Sequence, residues 1–316
     1  MLFDCAIIGG GPAGLNAALV LGRARRNVIL FDSNKPRNAV TQESHGFITR
    51  DGIKPTEFRQ IAHKEISKYP SVEYKNIEVF SVTKNKITFE LVTSMGEKYQ
   101  SKTIIISTGL KDILPSIDNI SDFFGKSLFN CPYCDWWELK DKPLVVIVDE
   151  QKQGFHYTQI IYNWSKDLVV CTNGKIVHST EQKELLQNKG IKIIELKIKN
   201  FIGQNGQIEQ LVFENGETIS RKGGFVLTQW IQSSDFGKEL GCENNSLGGI
   251  ATDSFGRTNI TGVYAAGDAS FAPGQLIIAA SEGSRAAIGV NMYLTQQEFL
   301  TSWFVASNCT PIWSTG

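Results

Sequence analysis

The sequence predicts an α/β chain built as two parallel-sheet units, the second inserted in the first. Three observations predict it. A strand–helix–strand run opens the chain. A second pass of similar order starts at Pro143. The chain then returns to a strand and a long helix near its C-terminal end.

In the first pass, "LFDCAIIGG" reads as a buried strand and "GPAGLNAALVLGRAR" as a helix with one apolar face. "NVILFD" is the second strand. A loop, "SNKPRNAVTQESHGFITRDG", leads to a helix, "KPTEFRQIAHKEISKY". The next segment alternates like strands and ends in β-branched residues and Gly109. In the second pass "PLVVIVD", "GFHYTQIIYNWS", "KDLVVCTNG" and "TEQKELLQNKG" repeat strand, helix, strand, helix. A meander follows, with turns at Asn205-Gly206 and Asn215-Gly216. The return segment is "TNITGVYAAGDAS" and "GQLIIAASEGSRAAIGVNMYL". The expected domains are 1–115 with 246–316, and an inserted 116–245.

Composition narrows the function classes. A chain of 316 residues is longer than one core normally serves. Apolar residues at 41% and charged residues at 20% are globular values. Lys+Arg and Asp+Glu balance at 32 each, without a long basic run, which argues against nucleic acid or an anionic membrane as partner. Apolar stretches are strand-length, and the start lacks signal-peptide features, so a soluble, cytoplasmic protein is expected. Of six cysteines only Cys131 and Cys134 are closely spaced, and the four histidines are scattered. That predicts neither a disulfide scaffold nor a metal site.

Gly9-x-Gly11-x-x-Gly14 follows a strand and opens a helix. The first glycine permits a tight turn, the second a close pyrophosphate, the third helix–strand packing. Asp32 ends the next strand, where a carboxylate accepts ribose hydroxyls and disfavours a 2′-phosphate. The context makes this a Rossmann-like dinucleotide site. Thr108-Gly109 and Gly267-Asp268 end later strands, the latter just before a helix near Gln275. They suit the ribityl and phosphate part of a longer cofactor, FAD rather than NAD, although Gly-Asp is also a common turn.

"NCPYCDWWEL" carries a C-x-x-C pair, a metal half-site or a redox centre. The missing second ligand pair and the dinucleotide motifs favour redox, because two such sulfurs close a small ring and the thiolate reacts. Asp135 either shuttles the thiol proton or caps a helix.

"IIGGGPAG", "STG", "CPYCD" and "GVYAAGD", in this order, resemble the low-molecular-weight thioredoxin reductases and related FAD-dependent disulfide oxidoreductases. The resemblance reaches about Leu294. "CPYCDWWE" and "HGFITRDG" look closer to a side branch of atypical thioredoxin reductases and dithiol oxidases of disulfide natural-product pathways. The resemblance implies a homodimer with two nucleotide-binding domains. It implies FAD contacts at Gly9, Gly11, Pro12, Ala13, Gly14, Asp32, Thr108, Gly109, Gly267, Asp268 and Gln275. Arg37, Asn38, Gln42 and His45 lie in the loop expected to reach the flavin. Cys134 is then the flavin-side sulfur. Cys131 exchanges with a thioredoxin-like protein or a small dithiol or disulfide. His45 is a flavin-side donor, a base or a local partner. Trp136 stands where the family's usual pattern has Gly, and it either shapes a pocket, packs on the flavin or packs between domains.

The second domain lacks what a nicotinamide dinucleotide needs. After "LVVIV" come Asp149, Glu150 and Gln151, and only Gly154 survives from the glycine pattern. Each like-charge contact with a pyrophosphate would cost roughly 4 kcal/mol at about 4 Å and an effective dielectric near 20. "VVCTNGK" offers only Lys175 for a 2′-phosphate, and Trp230 stands near a usual Gly turn. Loss of NADPH binding is expected. Electrons then come from ferredoxin or another protein donor, or run backwards from a substrate dithiol through FAD to O2. A third reading is a non-catalytic flavin redox sensor. Trp303, Phe304 and Trp313 are candidates to cover the flavin face.

Overall fold

The structure, a computed structural model, describes residues 1–149, 151–270 and 274–307, with side chains except for residues 151–152 and 301–307. Trp303, Phe304 and Trp313 therefore lie outside the described side chains.

The chain begins β1 (Leu2–Ile8), α1 (Pro12–Arg23), β2 (Val28–Phe31), α2 (Pro55–Ile66), β3 (Val72–Lys75), β4 (Val79–Asn85), β5 (Thr88–Thr93) and β6 (Lys98–Ile106). Next come β7 (Leu110–Ile113), α3 (Ile120–Phe123), β8 (Leu128–Phe129), α4 (Pro132–Asp135), β9 (Leu144–Ile147), α5 (Gln151–Tyr162), β10 (Leu168–Cys171) and α6 (Thr180–Asn188). The rest is β11 (Lys192–Ile194), β12 (Ile198–Gln204), β13 (Gln207–Phe213), β14 (Thr218–Ser220), β15 (Gly223–Val226), β16 (Gln229–Gln232), α7 (Phe236–Glu239), β17 (Val263–Ala265) and α8 (Leu276–Ser307).

Two compact units result. One holds Met1–Pro36, Thr56–Leu110 and Gln232–Gly316, the other Arg37–Pro55 and Lys111–Ile231. The crossings fall before the 115 and 246 expected from sequence. The loop Arg37–Pro55 groups with the second unit, not the first. Contact explains this: Arg37 binds Asp112, and the Val40 carbonyl lies where Gly125 leaves room, 2.6 Å from the position a Cβ would take.

In the first unit the sheet order is β3-β2-β1-β6-β5-β4, with β17 beside β6. β1, β2, β3, β6 and β17 run parallel. β4 and β5 are antiparallel to their neighbours. β1 is apolar on both faces, as a covered parallel strand requires. Its Cys5 and Ile7 join a core with Leu15, Leu21, Ala286 and Val290 from α1 and α8. Its Ala6 and Ile8 join Phe89, Leu91 and Phe236 on the other face.

The second unit repeats the plan. Its sheet, β11-β10-β9-β15-β8, is parallel throughout. α5 and α6 cover one face through Tyr157, Ile161 and Leu186. The meander β12-β13-β14 covers the other through Phe201, Leu211 and Phe213. Asn205 and Gly206 both take positive φ, as the two-residue turn between β12 and β13 demands.

Candidate active site

In the first unit three turns meet at one sheet edge. The register sets Ile8 beside Ile106, and Ile106 beside Ala265. The Gly9 turn, the Ser107–Gly109 turn and the Gly267 turn therefore adjoin at the carboxyl ends of β1, β6 and β17, the usual place for a nucleotide on a parallel sheet. Each glycine has its own reason. Gly9 takes φ +114°, and a Cβ there would stand 2.2 Å from the Ser107 carbonyl oxygen. A Cβ on Gly14 would stand 1.9 Å from the Gly9 carbonyl oxygen. Around Gly11 there is open space, which is what a phosphate needs. Gly11 caps α1 without a side-chain bond, and Pro12 opens the helix, so first-turn N–H groups face that space uncapped.

The other expected contacts of this unit are placed as follows. Asp32 is buried, its Oδ1 accepting the Asn34 N–H at 2.9 Å. The Thr108 hydroxyl shares a 2.8 Å hydrogen bond with the Ser234 hydroxyl. Gly267 donates its N–H to Glu282 at 2.8 Å, and Asp268 accepts from Gly274 at 3.0 Å. Gln275 is half-buried just before α8. Ala13 lies under this edge: a Cβ on Gly267 would stand 2.9 Å from Ala13 Cβ. The open cradle and uncapped donors fit a dinucleotide.

In the second unit Cys131 and Cys134 form a disulfide, their Cα atoms 5.3 Å apart. Cys131 caps the single turn α4, and Pro132 starts it. The preceding residue is held firmly. Asn130 Nδ2 donates to Asp112 at 2.8 Å, and its carbonyl accepts from the Tyr157 hydroxyl at 3.0 Å. Asp112 also binds Arg37 through two 2.7 Å hydrogen bonds and Thr228 at 3.0 Å. Asp112 gave no sequence signal, because its partners are remote in the chain.

Asp135 follows the dithiol and is half-buried. Desolvation raises its pKa to about 7; Glu138 adds to the rise and His45 opposes it. His45 lies 3.7 Å from Glu138, 3.5 Å from Asp51 and 3.7 Å from Glu43. Of the loop expected to reach the flavin, Arg37 is held by Asp112. Asn38 makes a 3.5 Å contact with the Ser44 hydroxyl, and Gln42 is exposed.

Trp136 stacks on Trp164 with ring centres 4.6 Å apart, so its indole packs within its own unit. Trp137 is exposed, edge-on to Trp136, with Lys140 Nζ 3.4 Å over its ring. Cys5 and Cys171 are buried, and burial pushes both thiols up to about 12. They are too weakly acidic to compete with the dithiol at neutral pH. Among the described residues there is no cluster able to hold a metal ion and no helix long and apolar enough to cross a membrane.

After β9, the Asp149 carboxylate accepts from Lys175 at 3.0 Å. A Cβ on Gly154 would stand 3.2 Å from Val148 Cβ, so this glycine keeps helix and strand close.

Residues 3–283 match the model of the pyridine nucleotide-disulphide oxidoreductases. The chain belongs to this family. It is similar to a putative thioredoxin reductase TrxB from Bacillus anthracis, whose crystal structure superposes with a TM-score of 0.91 at 47% identity, covering 94% of this chain and 99% of that one. The crystal structure of HlmI gives 0.92 at 30% identity, over 97% and 96%. Thioredoxin reductase aclD of Aspergillus oryzae is 29% identical over 94% of this chain and 98% of its own. The chain is thus a thioredoxin-reductase-like flavoprotein disulfide oxidoreductase, and its α/β class of parallel-sheet units is the one expected from sequence.

Proposed function

We propose that this oxidoreductase moves electron pairs between FAD on the first unit and the Cys131–Cys134 pair without using NADPH. The observation that carries the reading is the Asp149–Lys175 ion pair. It ties up the cation expected for a 2′-phosphate and leaves a carboxylate where a pyrophosphate turn needs glycine. The surviving Gly154 serves packing against Val148, which folding needs with or without a ligand.

When bound, FAD supplies a two-electron carrier. The protein's part is disulfide exchange and proton control. Reducing Cys131–Cys134 takes two electrons and two protons. The Cys131 thiolate then attacks a substrate disulfide, one substrate thiolate leaves, and a mixed disulfide forms. Cys134 attacks Cys131, releasing the second substrate thiolate and restoring the internal disulfide. The protons go to the leaving thiolates. A carboxyl with a pKa of about 7 exchanges them near neutrality. The same steps in reverse oxidise a dithiol.

The substrate is a thioredoxin-like protein or a small dithiol or disulfide, the partner classes of the resembling enzymes. The donor is ferredoxin or another protein; the reverse reading ends at O2. A homodimer is supported by an apolar face on α8, where Ile277, Ile278, Ile288, Met292, Phe299 and Leu300 are exposed.

Anaerobic titration of the purified yellow protein tests the reading. Bleaching by reduced ferredoxin but not NADPH supports a protein donor. Bleaching by a dithiol, with peroxide formed on aeration, supports the reverse direction. Stoichiometric bleaching by NADPH overturns the claim that NADPH is not used.

A further inference from the structure

This inference rests on the reading of the first unit as the FAD site. The Asp32 carboxylate is held by two donors of the protein itself. Its Oδ2 accepts from Arg59 Nη2 and its Oδ1 from the Asn34 N–H. Arg59 Nη1 donates in turn to Asn34 Oδ1 at 2.7 Å. The pair is well shielded, with side-chain exposures of 11% for Arg59 and 8% for Asp32. It also lies against the glycine turn: a Cβ on Gly10 would stand 2.2 Å from Asp32 Oδ2.

Arg59 comes from α2, which the sequence gives no reason to connect with a nucleotide. Its Nε–H is buried without a partner. A buried donor left unpaired costs free energy. An ion pair taken out of water is weak evidence for stability, because desolvation opposes the attraction. The arrangement makes better sense as a device for holding the carboxylate.

We propose that Arg59 is a positioning residue that makes the first unit select a flavin dinucleotide over a flavin mononucleotide. An ionised carboxylate offers about four acceptor positions on its two oxygens. Asn34 and Arg59 take one on each, which leaves two for the two ribose hydroxyls of an adenosine. A mononucleotide lacks the adenosine, so its binding does not depend on this pair. The neighbouring ring pair is His63 and Tyr74, 4.4 Å apart; burial and then the Arg59 charge lower the His63 pKa, and Asp32 opposes them.

The test strips full-length protein of flavin and titrates it with FAD and with FMN, following flavin fluorescence. Arg59→Met is expected to weaken FAD binding by about 10- to 100-fold, the worth of a charge-assisted hydrogen bond, and to leave FMN unchanged. Arg59→Lys is expected to recover part of the loss, because it keeps the charge but not the fork. Equal FAD affinity in wild type and Arg59→Met overturns the inference. So does a parallel loss of FAD and FMN, which marks a merely structural role. If Arg59→Met does not fold, Arg59→Lys decides: an FAD-selective loss supports the inference and unchanged affinity overturns it. A wild-type protein that binds neither flavin overturns the FAD reading itself, whatever Arg59 does.

Discussion

Asp135 carries the proposed proton exchange, and its burial also bears on stability. Burial raises its pKa from 3.8 to about 7, so the folded chain holds a proton that the unfolded chain has already released. The stabilising side of this difference is complete below about pH 3.8 and is lost as pH rises to about 7. Asp135→Asn removes the ionisable group. It is therefore expected to melt higher than wild type at pH 8, with the gain shrinking towards pH 4. Turnover is expected to fall by about 10²- to 10⁴-fold, and the pH dependence near 7 to disappear. Thermal melts and rate–pH profiles check both; a variant less stable than wild type at pH 8 contradicts the desolvation argument. The residues that announced themselves in the sequence share a property. Gly9, Gly14, Cys131, Cys134 and Asp32 are marked by local spacing, so a short window singles them out. Asp112 and Arg59 act through contacts with residues far along the chain, and no window contains both partners. Gly10 sat in a variable position of the motif, and only the packing of Asp32 against it shows why a side chain is excluded.

At the scale of elements, the closeness of α1 and α8 sets the shape of the nucleotide turn. Ala13, Ala17, Ala18, Ala286 and Ala287 keep the seam narrow. A Cβ on Gly283 would stand 2.0 Å from the Ala13 carbonyl oxygen, and the obstacle is backbone, which cannot rotate away. Asn16 Nδ2 bridges the same seam to the Ala280 carbonyl at 2.7 Å. Gly283→Ala is expected to push the helices apart and cost about 1–3 kcal/mol. Ala13 opens α1 next to the open space at Gly11 that the proposed FAD site uses, so flavin retention is expected to fall with the melting temperature. Gel filtration followed by flavin absorbance measures the first and calorimetry the second; an unchanged melt means the seam has slack. α6 gives a cleaner local case. Ser179 and Gln182 form a reciprocal cap, with bonds of 3.2 and 3.0 Å. Ser179→Ala is expected to cost about 1 kcal/mol in chemical denaturation. The strand and helix order was legible because each unit's sheet is covered on both faces, which leaves long apolar runs. The placement of Arg37–Pro55 was not, because that loop has no periodic pattern and is held by Arg37 and Val40.

For the whole molecule, the two units share a plan and differ in the turns that follow β1 and β9. The first has an open space at Gly11 and an ion-paired acid at Asp32. The second has Asp149 paired with Lys175 after the corresponding strand. A ligand that binds only the native state stabilises it by RT ln(1 + [L]/Kd), about 2.7 kcal/mol at a hundredfold excess over Kd. A chain of two units need not unfold in one step, so each ligand reports on its own unit. FAD added to flavin-stripped protein is expected to raise one melting transition. NADPH is expected to leave both where they are, at concentrations that shift a conventional NADPH-dependent reductase. The comparison needs no turnover, so it is independent of the donor and of the state of the dithiol. A second transition that climbs with NADPH would mean that Lys175 leaves Asp149 for the nucleotide and that the second unit binds NADPH after all. Asp149→Gly sharpens the contrast. It frees Lys175 and removes the carboxylate in one step, so any residual affinity for NADPH should first become visible in that variant.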